Sequence, residues 1–410
     1  MKNFKCRFCG AELHHRVVDL GMSPLCESYV PQERLDAMEP FYPLNVWVCQ
    51  ECLLVQLNQY VHADEIFSEY AYFSSFSTAW LKHAEDYVSM ITGRLGLNEK
   101  SLAVELASND GYLLQYFVKR GIPCLGIEPA ANVAESARKL GVETEVTFFG
   151  ESSAKQLRDK GRLADLVLGN NVLAQVPDIN DFVSGIPIIL KPNGVVTIEF
   201  PHLQRLFEEN QFDTIYHEHF SYFSLLSAET IFAKHGMTLF DVEELWTHGG
   251  SLRIYAKHTA DNTHPITQRL IDLKQREVAL GYREMATYTR FEERVRETKR
   301  KLLEMLIDIK RAGKRIVGYG APGKGNTLLN YCGIREDFID FTVDRNPYKQ
   351  GRFLPGTHIP ICEPSRLDEA RPDYIFILPW NFKDEIMKQL AHSREWGARF
   401  IVPIPEATIV

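Results

Sequence analysis

The sequence predicts a multidomain α/β protein: a small cysteine-bound domain, a doubly wound sheet and a second, smaller sheet of the same kind. Three observations predict it. Cys6/Cys9 and Cys49/Cys52 form two C-x-x-C pairs. Residues 104–111 read V-E-L-A-S-N-D-G, an apolar run that breaks into turn-prone residues ahead of an amphipathic run. Residues 318–327 read G-Y-G-A-P-G-K-G-N-T, again just past an apolar run. The last two are strand, tight turn and helix, the opening unit of a doubly wound sheet. The boundaries read from these signals are 1–62 for the zinc-binding domain, 63–260 for the central domain, 261–312 for a helical linker and 313–410 for the C-terminal domain.

At 410 residues the chain exceeds one ordinary core. A net charge of −8 supplies no pull toward nucleic acid or an anionic membrane. No apolar run is long enough to span a bilayer, and the start M-K-N-F-K-C lacks the apolar core of a signal peptide, so a cytoplasmic protein is expected. Cys26, Cys124, Cys332 and Cys362 are scattered, whereas the close pairs argue for metal over disulfides.

Each knuckle of the first domain turns two thiolates toward one point. Cys6, Cys9, Cys49 and Cys52 then make a closed site of four sulfurs, the structural Zn2+ arrangement, with no open position for catalysis. Residues 46–48 lead into the second knuckle as a short strand, and an inserted loop bearing 22–29 fills the long spacing. Basic residues here are few and not interleaved with aromatics, so DNA is not the expected partner. Residues 69–80 are dense in rings and hydroxyls. Phe73, Phe76 and Trp80 suit a packed helix face, and Tyr70 and Tyr72 suit a lid over a polar ligand.

In the central domain the first strand is read at 102–106, with Tyr112, Leu113, Leu114 and Phe117 as a helix face. A second strand, 124–127, ends at Glu128, about 20 residues past the turn, where an acidic side chain binds ribose hydroxyls. Further strands are read at 165–169, 194–200, 237–242 and 251–257. Parallel strands alternating with helices, then an antiparallel pair, fit a class I methyltransferase sheet. Ala107, Asn109 and Tyr112 stand where a G-x-G-x-x-G fingerprint needs glycines, so a pyrophosphate cannot approach the backbone closely. A donor without phosphates, S-adenosylmethionine, fits better than NAD. Its expected contacts are Glu105, Ala107, Asn109, Gly111, Glu128, Asn170 and Asn171.

Residues 213–223 read D-T-I-Y-H-E-H-F-S-Y-F. His217 and His219 are two apart, which is not the i, i+4 pair of a zinc protease. A general base is the better reading, since an imidazole titrates near neutral pH. Tyr216 and Glu218 are placed to orient it or to hold a substrate oxygen, and Tyr222 lies in the same run.

The ordered set of motifs resembles the sugar C-methyltransferases that build branched deoxysugars on nucleotide-linked 4-keto sugars. The resemblance spans essentially the whole chain: the four cysteines, Y-A-Y-F-S-S-F-S, E-L-A-S-N-D-G, G-N-N-V-L-A-Q-V-P-D, Y-H-E-H-F-S-Y-F-S, H-G-G-S-L-R at 248–253, and G-Y-G-A-P-G-K-G-N-T. It implies structural zinc, S-adenosylmethionine on the middle domain, and a nucleotide sugar reached by the middle and C-terminal domains. It implies His219 as base with Tyr216 and Glu218 beside it, Tyr70 near the sugar, and methylation at C3 of a dTDP-linked substrate. The residues themselves identify neither the nucleotide, the stereochemistry nor the carbon. One departure is Gln175, where the family often has histidine. Gln175 hydrogen-bonds but is no base at neutral pH.

In the C-terminal third, residues 266–312 read as charged surface helices. The strand at 315–317 feeds the glycine-rich turn, and Asp344 follows a strand at 339–343. G-x-G-x-x-G is matched here, so an NAD-dependent oxidoreductase is the alternative, although Pro322 removes one N–H from a phosphate cradle. Gly325 stands where a P-loop has Ser or Thr, which argues against an ATPase. Lys324 and Asn326 are the residues expected to hold the sugar's diphosphate, with Tyr72, Gln175 and Tyr222 on the substrate side. Strands at 374–378 and 400–402 complete a small parallel sheet. A non-enzymatic zinc-ribbon scaffold is the third class. The oligomeric state stays open, a monomer included.

Overall fold

A computed structural model describes residues 4–61 and 74–410. They divide into two compact units. Met1–Leu13, Cys49–His202 and Phe220–Arg283 form the first, and His14–Val48, Leu203–His219 and Glu284–Val410 form the second.

The first unit holds a seven-stranded sheet in the order Met237–Leu245, Ser251–His258, Leu190–Pro201, Ala164–Asn170, Ala103–Leu106, Cys124–Ile127, Glu143–Glu145. The last five in that order pair in parallel, and the first two are antiparallel additions, as the sequence predicts. Ala103–Leu106 is fully buried and pairs on both sides, with Cys124 and with Leu166 opposite Ala103. The strand order therefore reverses at its carboxyl end, which is where such sheets bind ligands.

The helix Thr78–Leu95 starts at Ser77, whose Oγ accepts from the Trp80 N–H at 3.2 Å, and ends at Gly96 with φ of +64°. It buries Tyr87, Val88 and Ile91 against Tyr112, Leu113, Leu114 and Phe117. Each such side chain contributes about 1.5–3 kcal/mol on burial. The run read as a helix from Tyr112 is helical only over Gln115–Lys119. The turn before it uses left-handed backbone, which delays the helix.

In the second unit His15–Ser23 and Tyr42–Val48 pair antiparallel, so strand rather than loop begins and ends the stretch between the knuckles. A six-stranded sheet runs Ile361–Cys362, Thr342–Val343, Ile316–Tyr319, Tyr374–Ile377, Arg399–Val402, Thr408–Ile409, parallel except for its last strand. The strand read at 339–343 shrinks to Thr342–Val343, because Ile339 N–H closes a turn onto Arg335 O at 3.0 Å. The charged stretch gives Gln268–Ala279 in the first unit and Phe291–Arg311 in the second. The latter buries Val295, Thr298, Leu302, Leu306 and Ile309 at helical spacing. No helix among the described residues is long and apolar enough to cross a membrane.

Candidate functional site

The turn leaving Ala103–Leu106 is built from left-handed residues. Ala107, Asn109 and Gly111 have φ of +58°, +48° and +78°. Asparagine and glycine tolerate this region, but alanine loses about 1–2 kcal/mol there. The surroundings hold the shape. Glu128 accepts the Asn109 N–H on one oxygen and the Ala130 N–H on the other, each at 2.9 Å. Ser74 N–H donates to Asn109 Oδ1 at 3.0 Å and Ser75 N–H to Asp110 Oδ2 at 3.1 Å. Burial raises the Glu128 carboxyl above its ordinary range, and the two N–H groups pull it back. A Cβ on Gly111 would lie 3.1 Å from Ala137 Cα, so the turn rests directly on the helix Ala131–Lys139.

Beyond this turn opens a cavity of about 330 Å³. Ala107, Asn109, Glu128, Asn170, Asn171 and Gln175 line it, which gathers five of the seven cofactor residues expected from sequence and one substrate residue. Glu105 and Gly111 do not reach it. Glu105 is fully buried on the strand leading into the turn, and burial pushes its carboxyl well up.

The rest of the lining is aromatic and acidic. Trp80, Tyr112, Phe148, Phe149 and Phe182 supply rings, and Asp178 and Asp181 join Glu128. Among the described residues that line the cavity there is no lysine or arginine. A diphosphate brings negative charge into that set and is repelled, whereas a sulfonium is positive and is attracted both by carboxylates and by ring faces. The amide of Asn170 is buried with neither its oxygen nor its nitrogen hydrogen-bonded, so a donor and an acceptor face the cavity. These residues fit S-adenosylmethionine.

Sequence reasoning missed part of this wall. Trp80, read as core, stacks on Tyr112 at 5.9 Å and meets His248 edge-on at 5.1 Å. His248 is itself left-handed, at φ +54°, and leads into Gly249 and Gly250 at +89° and +116°. Behind them Glu199 accepts from Arg253 at 2.9 Å and Thr247 at 2.8 Å, and meets His83 at 2.9 Å. Burial opposes that charge, yet His83 and Arg253 hold the carboxyl down at about 2. The available signal was a charge inside each of two apolar strands, which demands a partner.

The four cysteines of the first unit converge, with their sulfurs all within 4.8 Å of one another. Cys6 Sγ lies 3.5 Å from Cys52 Sγ, and Cys9 Sγ lies 3.5 Å from Cys49 Sγ. A tetrahedral Zn2+ with four thiolates at ~2.3 Å needs separations of about 3.8 Å, so the set fits the ion and closes it off.

In the second unit, His219 Nδ1 lies 3.0 Å from the Thr214 carbonyl. A donor bond there fixes the neutral ring with its lone pair on Nε2, the form a base requires. Tyr216 lies against the ring, with centroids 4.1 Å apart. His217 turns to the Pro43 carbonyl at 3.3 Å, and burial lowers its pKa. Glu218 is buried, and the Cys26 thiol donates to it at 3.5 Å. Burial and neighbouring Glu27 push its carboxyl up to about 8, so it carries a proton at neutral pH. Tyr222 belongs to the first unit, buried on a strand paired with Val55. Tyr70 and Tyr72 lie outside the described residues.

The glycine-rich turn of the second unit is filled. Asp344 accepts the Ala321 N–H at 2.7 Å and the Asn346 N–H at 2.8 Å. The Tyr29 hydroxyl donates to Ala321 O at 2.6 Å. A Cβ on Gly323 would lie 2.9 Å from Cys26 Sγ and 3.2 Å from Glu27 Oε1. Thus residues 26–29 cover the helix start where a pyrophosphate would sit. Lys324 is half-buried over the Trp380 ring at 4.6 Å and donates to Asn381 Oδ1 at 2.9 Å. Trp380 donates to buried Asp213 at 2.6 Å, whose carboxyl burial raises to about 6. The Asn326 amide donates to Cys26 O at 2.6 Å.

Three family models match the chain: a zinc binding domain over residues 6–67, a methyltransferase domain over 80–242, and a C-methyltransferase C-terminal domain over 246–405. The C-methyltransferase NovU of Streptomyces niveus is 36% identical over 406 residues, covering 99% of this chain and 96% of that protein. A ubiquinone biosynthesis O-methyltransferase of Bartonella bacilliformis is 26% identical over 96 residues, covering 23% of this chain and 39% of that one. Among solved structures, an S-adenosylmethionine-dependent methyltransferase from Clostridium acetobutylicum aligns with a TM-score of 0.35 at 11% identity, over 43% of this chain and 92% of that one.

Proposed function

We propose a function from one premise: this chain belongs to the C-methyltransferase family. Its reaction is transfer of a methyl group from S-adenosylmethionine to the carbon beside the ketone of a nucleotide-linked 4-keto deoxysugar, at C3 of a dTDP-linked substrate. The observation that carries the donor is the cavity: aromatic and acidic, without lysine or arginine among its described lining. Carbon as the methylated atom rests on the likeness to the C-methyltransferase NovU, and the nucleotide sugar rests on the motif resemblance of the sequence.

The roles follow from carbonyl chemistry. A ketone acidifies its neighbouring C–H. His219, with Nδ1 anchored on Thr214 O, takes that proton on Nε2. Tyr216 lies against the imidazole and holds its plane. Protonated Glu218 is a hydrogen-bond donor for charge that develops on the ketone oxygen. S-adenosylmethionine, when bound, supplies the electrophilic methyl. Glu128, Asn109 and Asn170 hold it, with Trp80 and Tyr112 supplying ring surface beside them. Tyr70 and Tyr72 border the sugar, and Gln175 contributes hydrogen bonds without taking a proton.

The test is a panel of nucleotide 4-keto sugars incubated with S-adenosylmethionine, read by NMR of the product. His219→Gln should slow both methylation and deuterium uptake at the carbon beside the ketone by about 10²–10⁴. Unchanged deuterium uptake removes His219 from the role, and a panel with no methylated sugar removes the substrate class.

A further inference from the structure

The two residues between the ligands of the first knuckle do more than span it. Arg7 and Phe8 lie in Cys6-Arg7-Phe8-Cys9, and both are tied to the segment that forms one wall of the cofactor cavity. The Arg7 guanidinium donates to Pro177 O at 2.8 Å. In the opposite direction, the Asn180 amide donates to Phe8 O at 2.9 Å and to Arg7 O at 3.3 Å. Pro177 and Asn180 flank Asp178, whose side chain caps the helix Ile179–Ile189 by accepting the Asp181 N–H at 3.0 Å. Pro177, Asp178 and Asp181 line the cavity. The knuckle and the wall thus close a ring of hydrogen bonds in both directions.

The same arginine is wired to the sulfurs. Arg7 N–H donates to Gln56 Oε1 at 2.8 Å, and Gln56 Nε2 donates to Cys6 Sγ at 3.1 Å. The guanidinium also donates to Leu57 O and lies over the Phe220 ring at 5.3 Å. Phe220 N–H in turn donates to Ala174 O at 2.7 Å, one residue before Gln175. The head group is half-buried, with no carboxylate in an ion pair among the described residues. The zinc ligand Cys6 immediately precedes Arg7 in the chain, and Asp178 follows Pro177, whose carbonyl the guanidinium reaches. Four thiolates around Zn2+ carry a net charge of −2, which offsets a buried cation; protonated thiols do not.

We propose that Arg7, with Asn180, is a positioning residue for the methyl-donor cavity, through which zinc occupancy and donor affinity are coupled. The inference rests on the reading that this cavity takes S-adenosylmethionine. Zinc fixes Cys6 and Cys9, the fixed knuckle sets Arg7 and Phe8, and these hold the wall from Ala174 to Asp181. Linkage then requires the reverse effect, so a donor analogue must tighten the zinc site by the same factor.

The test uses the full chain with one zinc bound and S-adenosylhomocysteine as probe. Calorimetry gives its Kd, and zinc transfer to a coloured chelator gives the metal's release rate. In the unaltered chain, saturating S-adenosylhomocysteine should slow zinc release several-fold. Arg7→Met keeps the apolar stem and removes the donors. It should retain one zinc per chain, raise the Kd about tenfold, and lose the response of zinc release to S-adenosylhomocysteine. Asn180→Ala should move in the same direction by less. Coupling is overturned if S-adenosylhomocysteine leaves zinc release unchanged in the unaltered chain, a result that needs no variant to fold. It is also overturned if Arg7→Met binds with the original Kd. An unaltered chain that binds no S-adenosylhomocysteine overturns the donor reading itself, and coupling with it.

Discussion

The turn after Ala103–Leu106 and the turn after Ile316–Tyr319 share the same parts: a buried parallel strand, a glycine-bearing bend, a helix, and an acidic residue closing the next strand. They end in different states. At the first, Glu128 holds the bend open by its Asn109 and Ala130 N–H bonds, and the bend borders a cavity. At the second, Asp344 also bonds its own bend, but Cys26 and Glu27 occupy the space over the helix start. By glycine count the second is the better dinucleotide site. What decides is whether the chain itself fills the place a ligand would take. Glycine serves close approach in both cases: at Gly323 the neighbour is a cysteine of the same unit, not a phosphate.

The sharpest way to break this contrast is to remove the two acids in parallel. Glu128→Ala deletes an acceptor for two backbone N–H groups and a cavity carboxylate. A charged hydrogen bond is worth about 1.5–3 kcal/mol, so the Kd for S-adenosylhomocysteine should rise roughly tenfold to a hundredfold by calorimetry. Asp344→Ala should leave that Kd unchanged and lower the melting temperature. Equal effects on binding would erase the distinction between the turns.

Filling the second turn further should cost stability without touching donor binding. Gly323→Ala places a methyl group 2.9 Å from Cys26 Sγ. Overpacking of this kind costs about 1–3 kcal/mol, readable in the urea midpoint. A neutral outcome would mean that the space over the helix start is open after all.

The acids against that turn also set a pH dependence. The Glu218 carboxyl stands at about 8 in the folded chain, through burial and Glu27, against an ordinary 4.5. Folding therefore takes up a proton. The stabilisation is complete below about pH 4.5, falls as pH rises toward 8, and is gone above it. Glu218→Gln should reduce the fall of the urea midpoint between pH 6 and 8, above the range in which Asp213 titrates. An undiminished fall in that window contradicts the assignment.

The smallest expected effect lies in the first turn. Ala107→Gly relieves an alanine at φ +58° and should stabilise the fold by about 1 kcal/mol, with the cavity intact. Destabilisation would show that the alanine methyl packs more usefully than its backbone is strained.

Much of this was legible in the chain. The zinc knuckles follow from cysteine spacing alone, and the parallel sheet with its late antiparallel pair follows from alternating apolar runs. Glu128, Asn170 and Asn171 were visible because strand ends and turn residues have local signatures. The aromatic wall was not, since Trp80 and Phe148 look like core or surface until the fold gathers them. The Arg7 clamp was invisible for the same reason: its partner Pro177 is 170 residues away. The filled second turn needed contacts between residues 26–29 and 321–323, which no local pattern announces. Tyr222 was read as a substrate contact from its place in the run 213–223, and the pairing of its strand with Val55 is a long-range contact that no local pattern announces.

The central claim is that the first turn, not the second, receives the adenosine-bearing ligand, and that this ligand carries a sulfonium. Calorimetric titration of the unaltered chain with S-adenosylmethionine and, separately, with NADH tests it most directly. The account predicts one S-adenosylmethionine per chain, with binding lost or weakened in Glu128→Ala, and no heat from NADH. Stoichiometric NADH binding that disappears in Asp344→Ala would contradict it.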